Sequence, residues 1–192
     1  MESLELLHEW VTTQTKLFSE TCKDAEFDTT QIKFKRCAKF LVMLYIPKNT
    51  KTNELRINVR DKRFAKFRAE KAWCVSIYDC FQPKKIVKEC TNNFWNISIV
   101  YYRVGCFTEP NQYDSNKDKI CSSGIHYFNH WLAAYYYSSH NWCCDAFQIE
   151  FKDNGKIARI QYPYHRPNDP MHAKLISLNA LEERFGIPNI PL

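Results

Sequence analysis

CSSGIHYFNHWLAAYYY, from Cys121 to Tyr137, passes from a turn to a strand and then to a helix. Ser122, Ser123 and Gly124 are turn formers, and glycine reaches positive φ without steric cost. Ile125 to Phe128 alternates apolar and polar residues, the period of a short strand. Asn129 has the chemistry of a helix N-cap. Trp131, Leu132, Tyr135 and Tyr136 then share one helical face, and Ala133 and Ala134 favour the helix. The expectation is a strand–helix corner over residues 125–138, packed on the core, with His126 hydrogen-bonded and partly buried. A second reading places the same corner at the mouth of a ligand pocket. His126 would there be a ligand-contacting or catalytic residue, a role open to histidine as a residue type whose ordinary range lies near neutral pH, and Tyr127, Tyr135, Cys121 and Gly124 would line the pocket beside it.

Outward from this corner, the pattern predicts strands. Ile32 to Ile46 reads as one long strand or two with a break. Its second half, Phe40 to Ile46, is apolar on both faces and therefore central in a sheet. Pro47 ends it, since proline cannot donate to a ladder. Leu55, Ile57 and Val59 alternate with polar residues as a half-buried strand. Ala72–Tyr78 and Phe94–Arg103 are further strands. Residues 104–119 form a long polar loop. Asp114, Asn116 and Asp118 alternate there like the front of a calcium loop, but the glycine and closing glutamate that such a site needs are missing. Phe147, Ile149 and Phe151 alternate, Asn154-Gly155 suits a type I′ turn, and Ile157 to Tyr162 returns as a hairpin.

Helices bracket these strands. Leu4, Leu7, Trp10, Val11, Leu17 and Phe18 recur at helical spacing over residues 2–22. Asn179 with Glu182 fits a capping box, and Gly186 fits a stop after a short helix over 177–185. The predicted fold class is α+β: a mixed, mainly antiparallel curved sheet with N-terminal, central and short C-terminal helices. At 192 residues the expectation is one domain, 1–192, within the usual size range. It divides into an N-terminal helix (1–22), a sheet-rich core (32–163) and a C-terminal loop, helix and tail (164–192).

The net charge of +6 favours acidic surfaces or nucleic acid as partners. Arg56, Arg60, Lys62, Arg63, Lys66, Arg68 and Lys71 concentrate that charge in one stretch, with Phe64 and Phe67 interleaved. Its two readings are a solvated basic edge and a phosphate-contacting patch with stacking aromatics. Lys33, Lys35, Arg36 and Lys39 would extend the patch if the strands were neighbours. The nine cysteines are an odd number, and the acidic, amphipathic start is unlike a secretory leader. Reduced, buried thiols in a chain that is not secreted are therefore expected. No apolar run is long enough to span a bilayer, so no membrane partner is expected.

Three pieces between Tyr45 and Tyr137 carry a family resemblance. Ile46-Pro47-Lys48 closes a strand. Phe67-Arg68-Ala69-Glu70-Lys71-Ala72-Trp73-Cys74-Val75-Ser76-Ile77 forms a second run. Tyr102-Arg103-Val104-Gly105, Glu109-Pro110 with Tyr113-Asp114, and Cys121-Ser122-Ser123-Gly124-Ile125-His126-Tyr127-Phe128 form the third. Together they resemble a domain of unknown function from large DNA viruses of the mimivirus and iridovirus kind. That domain often stands beside pentapeptide or MORN-type repeats, and the 147–162 hairpin looks like one MORN-like unit. The resemblance implies a viral protein of the host cytoplasm or viral factory, packaged in the virion as one option. It carries no catalytic residues.

Gly124-Ile125 with Tyr127-Phe128, Ala134 and a following tyrosine also resembles the nicotinamide-pocket wall of ADP-ribosyltransferases. The His-Gly strand of that family is missing here, and Glu150 is its one glutamate candidate. Cys106, Cys121, His126, His130, His140, Cys143 and Cys144 crowd one region, yet without the spacings of structural zinc. No metal, cofactor or catalytic residue is assigned. The leading expectation is a non-enzymatic binding or structural module whose partner is a viral or host protein. The alternatives are an enzyme with a nucleotide pocket and a nucleic-acid binder acting through residues 56–71.

Overall fold

The computed structural model describes residues 2–22, 27–56, 62, 65–92, 99–119, 122–136, 148–151 and 157–161, the last two segments as backbone. They fall into two compact units, residues 1–135 and 136–192.

The first unit opens with helix α1 (Glu2–Thr21) and a single 3-10 turn (Thr29–Gln31), where the Asp28 carboxylate caps the Thr30 N–H. Strands β1 (Ile32–Cys37), β2 (Phe40–Tyr45), β3 (Lys66–Ala69), β4 (Ala72–Asp79), β5 (Glu89–Asn92), β6 (Val100–Arg103), β7 (Phe107–Thr108) and β8 (Ile125–Phe128) follow, and then helix α2 (Trp131–Tyr136). Six of these strands form one curled sheet in the order β3-β8-β1-β2-β4-β7, and β5 pairs with β6 apart from it. Every described pairing is antiparallel, so the fold is α+β as expected, with no parallel component among the described strands.

The break expected within Ile32–Ile46 is a tight hairpin at Ala38-Lys39, where Ala38 takes φ 50°. Glycine or asparagine normally occupies such positions, so the sequence carries no turn signal there. β2 lies between β1 and β4, as its two apolar faces require.

On one face of the sheet, Leu41, Met43, Phe34 and Phe128 are buried on the side that meets the helices. Trp10 of α1 meets Tyr78 at 5.1 Å between ring centres, and Phe18 meets Tyr45 at 5.4 Å. Leu7 is completely buried, whereas Leu17, expected on the same apolar stripe, is 51% exposed. On the opposite face, Val42, Leu44, Cys74, Ile77, Phe67, Ile125 and Tyr127 pack with Cys90, Val100 and Tyr102 of β5–β6. Cys37, Cys74 and Cys90 are free thiols within this layer. Burial on both faces explains why alternation is weak along β2 and β4.

Several boundaries differ from expectation. Leu55 lies in a turn and is 78% exposed rather than opening a half-buried strand; Ile57 and Val59 lie outside the described residues. The strand expected over Phe94–Arg103 is described only from Val100. β3, β5 and β7 are short additions that the pattern does not announce.

The second unit contains an antiparallel pair, β9 (Gln148–Phe151) and β10 (Ile157–Gln161), with a register shift between Ile157 and Arg159. Its Asn154-Gly155 turn and the helix expected at 177–185 lie outside the described residues.

Candidate functional site

The motif that begins at Ser122 sits where β8 meets β3, with Arg68 opposite His126 and Phe67 opposite Tyr127. Arg68 is completely buried. Its guanidinium reaches over the edge of the sheet and gathers the long 109–124 loop. Nη1 donates to the carbonyls of Asp114 (3.1 Å) and Ser123 (3.2 Å), and Nη2 donates to the carbonyl of Asn116 (2.6 Å). The Tyr113 ring lies 5.9 Å from its charged carbon. A planar, permanently charged fork suits several carbonyls held at fixed angles.

Asn53 completes this arrangement. Its Oδ1 accepts from the Arg68 N–H at 2.6 Å, its own N–H donates to the Arg68 carbonyl, and its Nδ2 donates to the carbonyls of Lys117 and Lys119. Gly124 sits against the same residue with φ +146°. A Cβ there would lie 3.3 Å from the Ala69 carbonyl and the Tyr113 ring, and 3.4 Å from Cβ of Arg68. The glycine is thus required for a close approach of backbone and strand.

The calcium-like alternation has a local explanation. Asp114 Oδ1 accepts from the Asn116 N–H, and Asn116 Oδ1 accepts from the Asp118 N–H, two successive Asx turns. Asp114 Oδ2 takes the Ser122 hydroxyl and faces Lys119 at 3.4 Å. The Ser122 hydroxyl, the Asn116 N–H and Lys119 hold the Asp114 carboxyl down at about 2.

A second polar network lies on the other face of the same strands. Lys33, almost buried on β1, is 3.0 Å from Glu54 Oε1 and donates to Asn129 Oδ1 at 2.8 Å. The Tyr127 hydroxyl donates to Glu54 Oε1 at 2.9 Å, and Lys33 Nζ lies 5.9 Å from the Tyr127 ring centre. Burial first, and then the Glu54 carboxylate, push the Tyr127 hydroxyl well above its ordinary range. Tyr127 is therefore a neutral donor within a closed network. Asn129, expected to cap α2, is drawn into it instead, and also donates to the Lys62 carbonyl at 3.4 Å. His130 takes the cap: its Nδ1 accepts from the Leu132 N–H at 3.1 Å. Burial, with a further push from His8, lowers His130 to about 4, which keeps Nδ1 unprotonated for that role.

The remaining candidates disperse. His126 is half-buried on β8 beside Arg68. Tyr135 is half-buried on α2, with the Arg36 guanidinium 5.3 Å from its ring centre. Cys121 lies outside the described residues, as do Arg60 and Arg63. Of the other basic residues, Arg56 is buried over the Phe67 ring at 5.4 Å and donates to the Lys66 carbonyl. Lys62 is exposed; Lys66 and Lys71 are half-buried. The stretch is thus divided, with its two described arginines turned inward. Lys33, Lys35 and Arg36 do not extend a surface patch either, because all three are buried. Among the described residues no group of three or more His, Cys, Asp or Glu is placed to hold a metal ion.

Residues 18–134 match the model of a family of unknown function, DUF5758. The chain belongs to this family. No curated protein and no solved structure matches it. The DUF5758 region runs from the last turn of α1 to Ala134 and contains both polar networks whole. Asn53 and Glu54 within it carry no sequence signal, and Lys33 was expected only as an extension of the basic patch. Asn53 and Glu54 precede no recognisable motif, and Lys33 reads as the solvent face of a strand. The Asp114/Asn116/Asp118 alternation was a true signal, of a self-capped loop.

Proposed function

We propose that this DUF5758 chain is a non-enzymatic binding or structural module of a large DNA virus, acting through protein–protein contacts. It would work in the host cytoplasm or viral factory, with packaging in the virion as one destination. One observation carries the reading. The polar groups of the motif (Arg68, Tyr127 and the backbone around Gly124) are bonded to the chain itself, so the motif organises a scaffold. A nucleotide pocket is less well supported, because Tyr127, assigned to its wall, has its hydroxyl committed to Glu54. The viral origin rests on the resemblance over Tyr45–Tyr137, and a protein partner on the lack of a convergent catalytic motif.

Native mass spectrometry of untagged protein, purified gently from cells, tests this. A bare chain, a symmetric oligomer or a stoichiometric protein complex is the expected result. A retained nucleotide or nicotinamide-sized mass that disappears in His126→Ala would overturn it.

A further inference from the structure

The connection from β4 to β5, residues 80–88, reads Cys-Phe-Gln-Pro-Lys-Lys-Ile-Val-Lys and contains three lysines and no carboxylate. Its geometry is fixed at both ends. Asp79, buried at its base, accepts the N–H groups of Phe81 (3.0 Å) and Gln82 (3.1 Å) on Oδ1 and faces Lys39 at 2.9 Å through Oδ2. The Lys85 N–H closes a turn onto the Gln82 carbonyl at 2.9 Å, and the Lys88 carbonyl accepts the Val104 N–H at 2.9 Å. Val87 packs against the core, which turns its neighbour Ile86 outward. Ile86 is 86% exposed and Phe81 62%. Lys84, Lys85 and Lys88 are exposed too, and none of them enters an ion pair among the described residues.

We propose that the 80–88 loop is a docking element for an anionic lipid surface. Ile86 would enter the boundary between headgroups and acyl chains, while Lys84, Lys85 and Lys88 meet acidic headgroups. The argument is one of complementarity. The loop presents apolar and cationic groups together on side chains that project from the surface. A bilayer interface offers anionic charge above apolar depth in the same order. Nucleic acid offers the charge and a stacking face, but it takes an aliphatic Ile86 only by unstacking a base step. A protein partner would have to supply its own pocket for Ile86 with carboxylates placed around it, a more specific match than a bilayer interface requires. No helix among the described residues is long and apolar enough to cross a membrane, so the contact proposed is with its surface.

The test is sedimentation of the full chain with vesicles of phosphatidylserine and phosphatidylcholine at about 1:3, beside pure phosphatidylcholine vesicles and a single-stranded uridine oligonucleotide. Binding to the anionic vesicles alone is expected. It should fall about 20-fold or more in Lys84→Glu/Lys85→Glu, since each cation near such a surface contributes roughly fivefold. It should also fall in Ile86→Asp. Lys16→Glu/Lys117→Glu, which changes the net charge equally at exposed positions outside the loop, should bind like the unaltered chain. The proposal is overturned if the anionic vesicles do not bind, if the Lys16/Lys117 variant loses as much as the loop variant, or if the oligonucleotide alone binds and depends on the loop lysines.

Discussion

Residues 65–71 and 80–88 have similar ingredients, basic side chains among aromatic and aliphatic ones, and opposite fates. In the first, Arg68 is completely buried and holds three carbonyls, and Phe67 belongs to the core. In the second, the cations and the large apolar side chains face solvent, while Asp79 anchors the backbone beneath them. The difference lies in what each backbone can offer. β3 is an edge strand with a long polar loop beside it, full of carbonyls in need of donors. The 80–88 connection has its own carboxylate at the base and leaves its lysines nothing to satisfy. Composition alone does not distinguish a basic staple from a basic surface; the unsatisfied acceptors nearby do.

The strongest way to break this contrast is Arg68→Ala. It strands buried carbonyls and empties a large volume, so a loss of about 3 kcal/mol or more is expected in urea unfolding. Arg68→Lys should recover only part of it, because an ammonium cannot span three carbonyls as the planar fork does. A change under about 0.5 kcal/mol, the range of an ordinary surface substitution, would mean that Arg68 belongs with the outward lysines.

Asp79→Ala probes the other side of the comparison. Burial pushes its carboxyl up, but Lys39 and the N–H groups of Phe81 and Gln82 outweigh this and hold it below the usual range. Its loss should cost about 2 kcal/mol and open residues 80–88 to limited proteolysis. An unchanged cleavage pattern would show that the loop holds its shape without the anchor.

The distinction was only partly legible in the sequence. β1, β2, β4, β8 and both described helices follow from apolar runs and periodicity, since burial leaves a regular mark there. The Ala38 turn leaves none, because an alanine carries the positive φ. The staple at Arg68 was hidden because a buried arginine and a surface arginine look alike until the Asp114, Asn116 and Ser123 carbonyls are brought beside it. Lys33 and Lys35 misled for a related reason. Alternation along β1 marks them as solvent-facing, yet β5–β6 covers that face. The Tyr102 ring lies 5.9 Å from Lys35, whose ammonium burial disfavours.

Inward placement also governs a titration. His130 is lowered to about 4 in the folded chain, below the usual value of about 6.5 for histidine. The fold prefers its neutral form, so this contribution is complete above the unfolded value. It is lost as pH falls from about 6.5 towards 4, where the unfolded chain binds the proton and the folded chain resists it. A loss of roughly 2 kcal/mol across that window is expected from urea unfolding at several pH values. His130→Asn keeps an acceptor at the cap and should flatten that part of the profile. If the asparagine variant retains the full pH dependence, the titrating group lies elsewhere.

The smallest effects belong to the outward loop, and they make the contrast decisive. Ile86→Asp and Lys84→Glu/Lys85→Glu remove no described hydrogen bond or ion pair and uncover nothing, because Val87, not Ile86, packs against the core. Their stability should stay within about 0.5 kcal/mol of the unaltered chain. Removing an aliphatic side chain from water by mutation should even leave the folded state no worse solvated. A loss comparable to that of Arg68→Ala would mean that these side chains are covered in solution, and the loop would then be a structural element like β3. Unchanged stability together with lost vesicle binding would separate the two uses of positive charge in this chain: one to hold the loop around Gly124, the other to meet a partner.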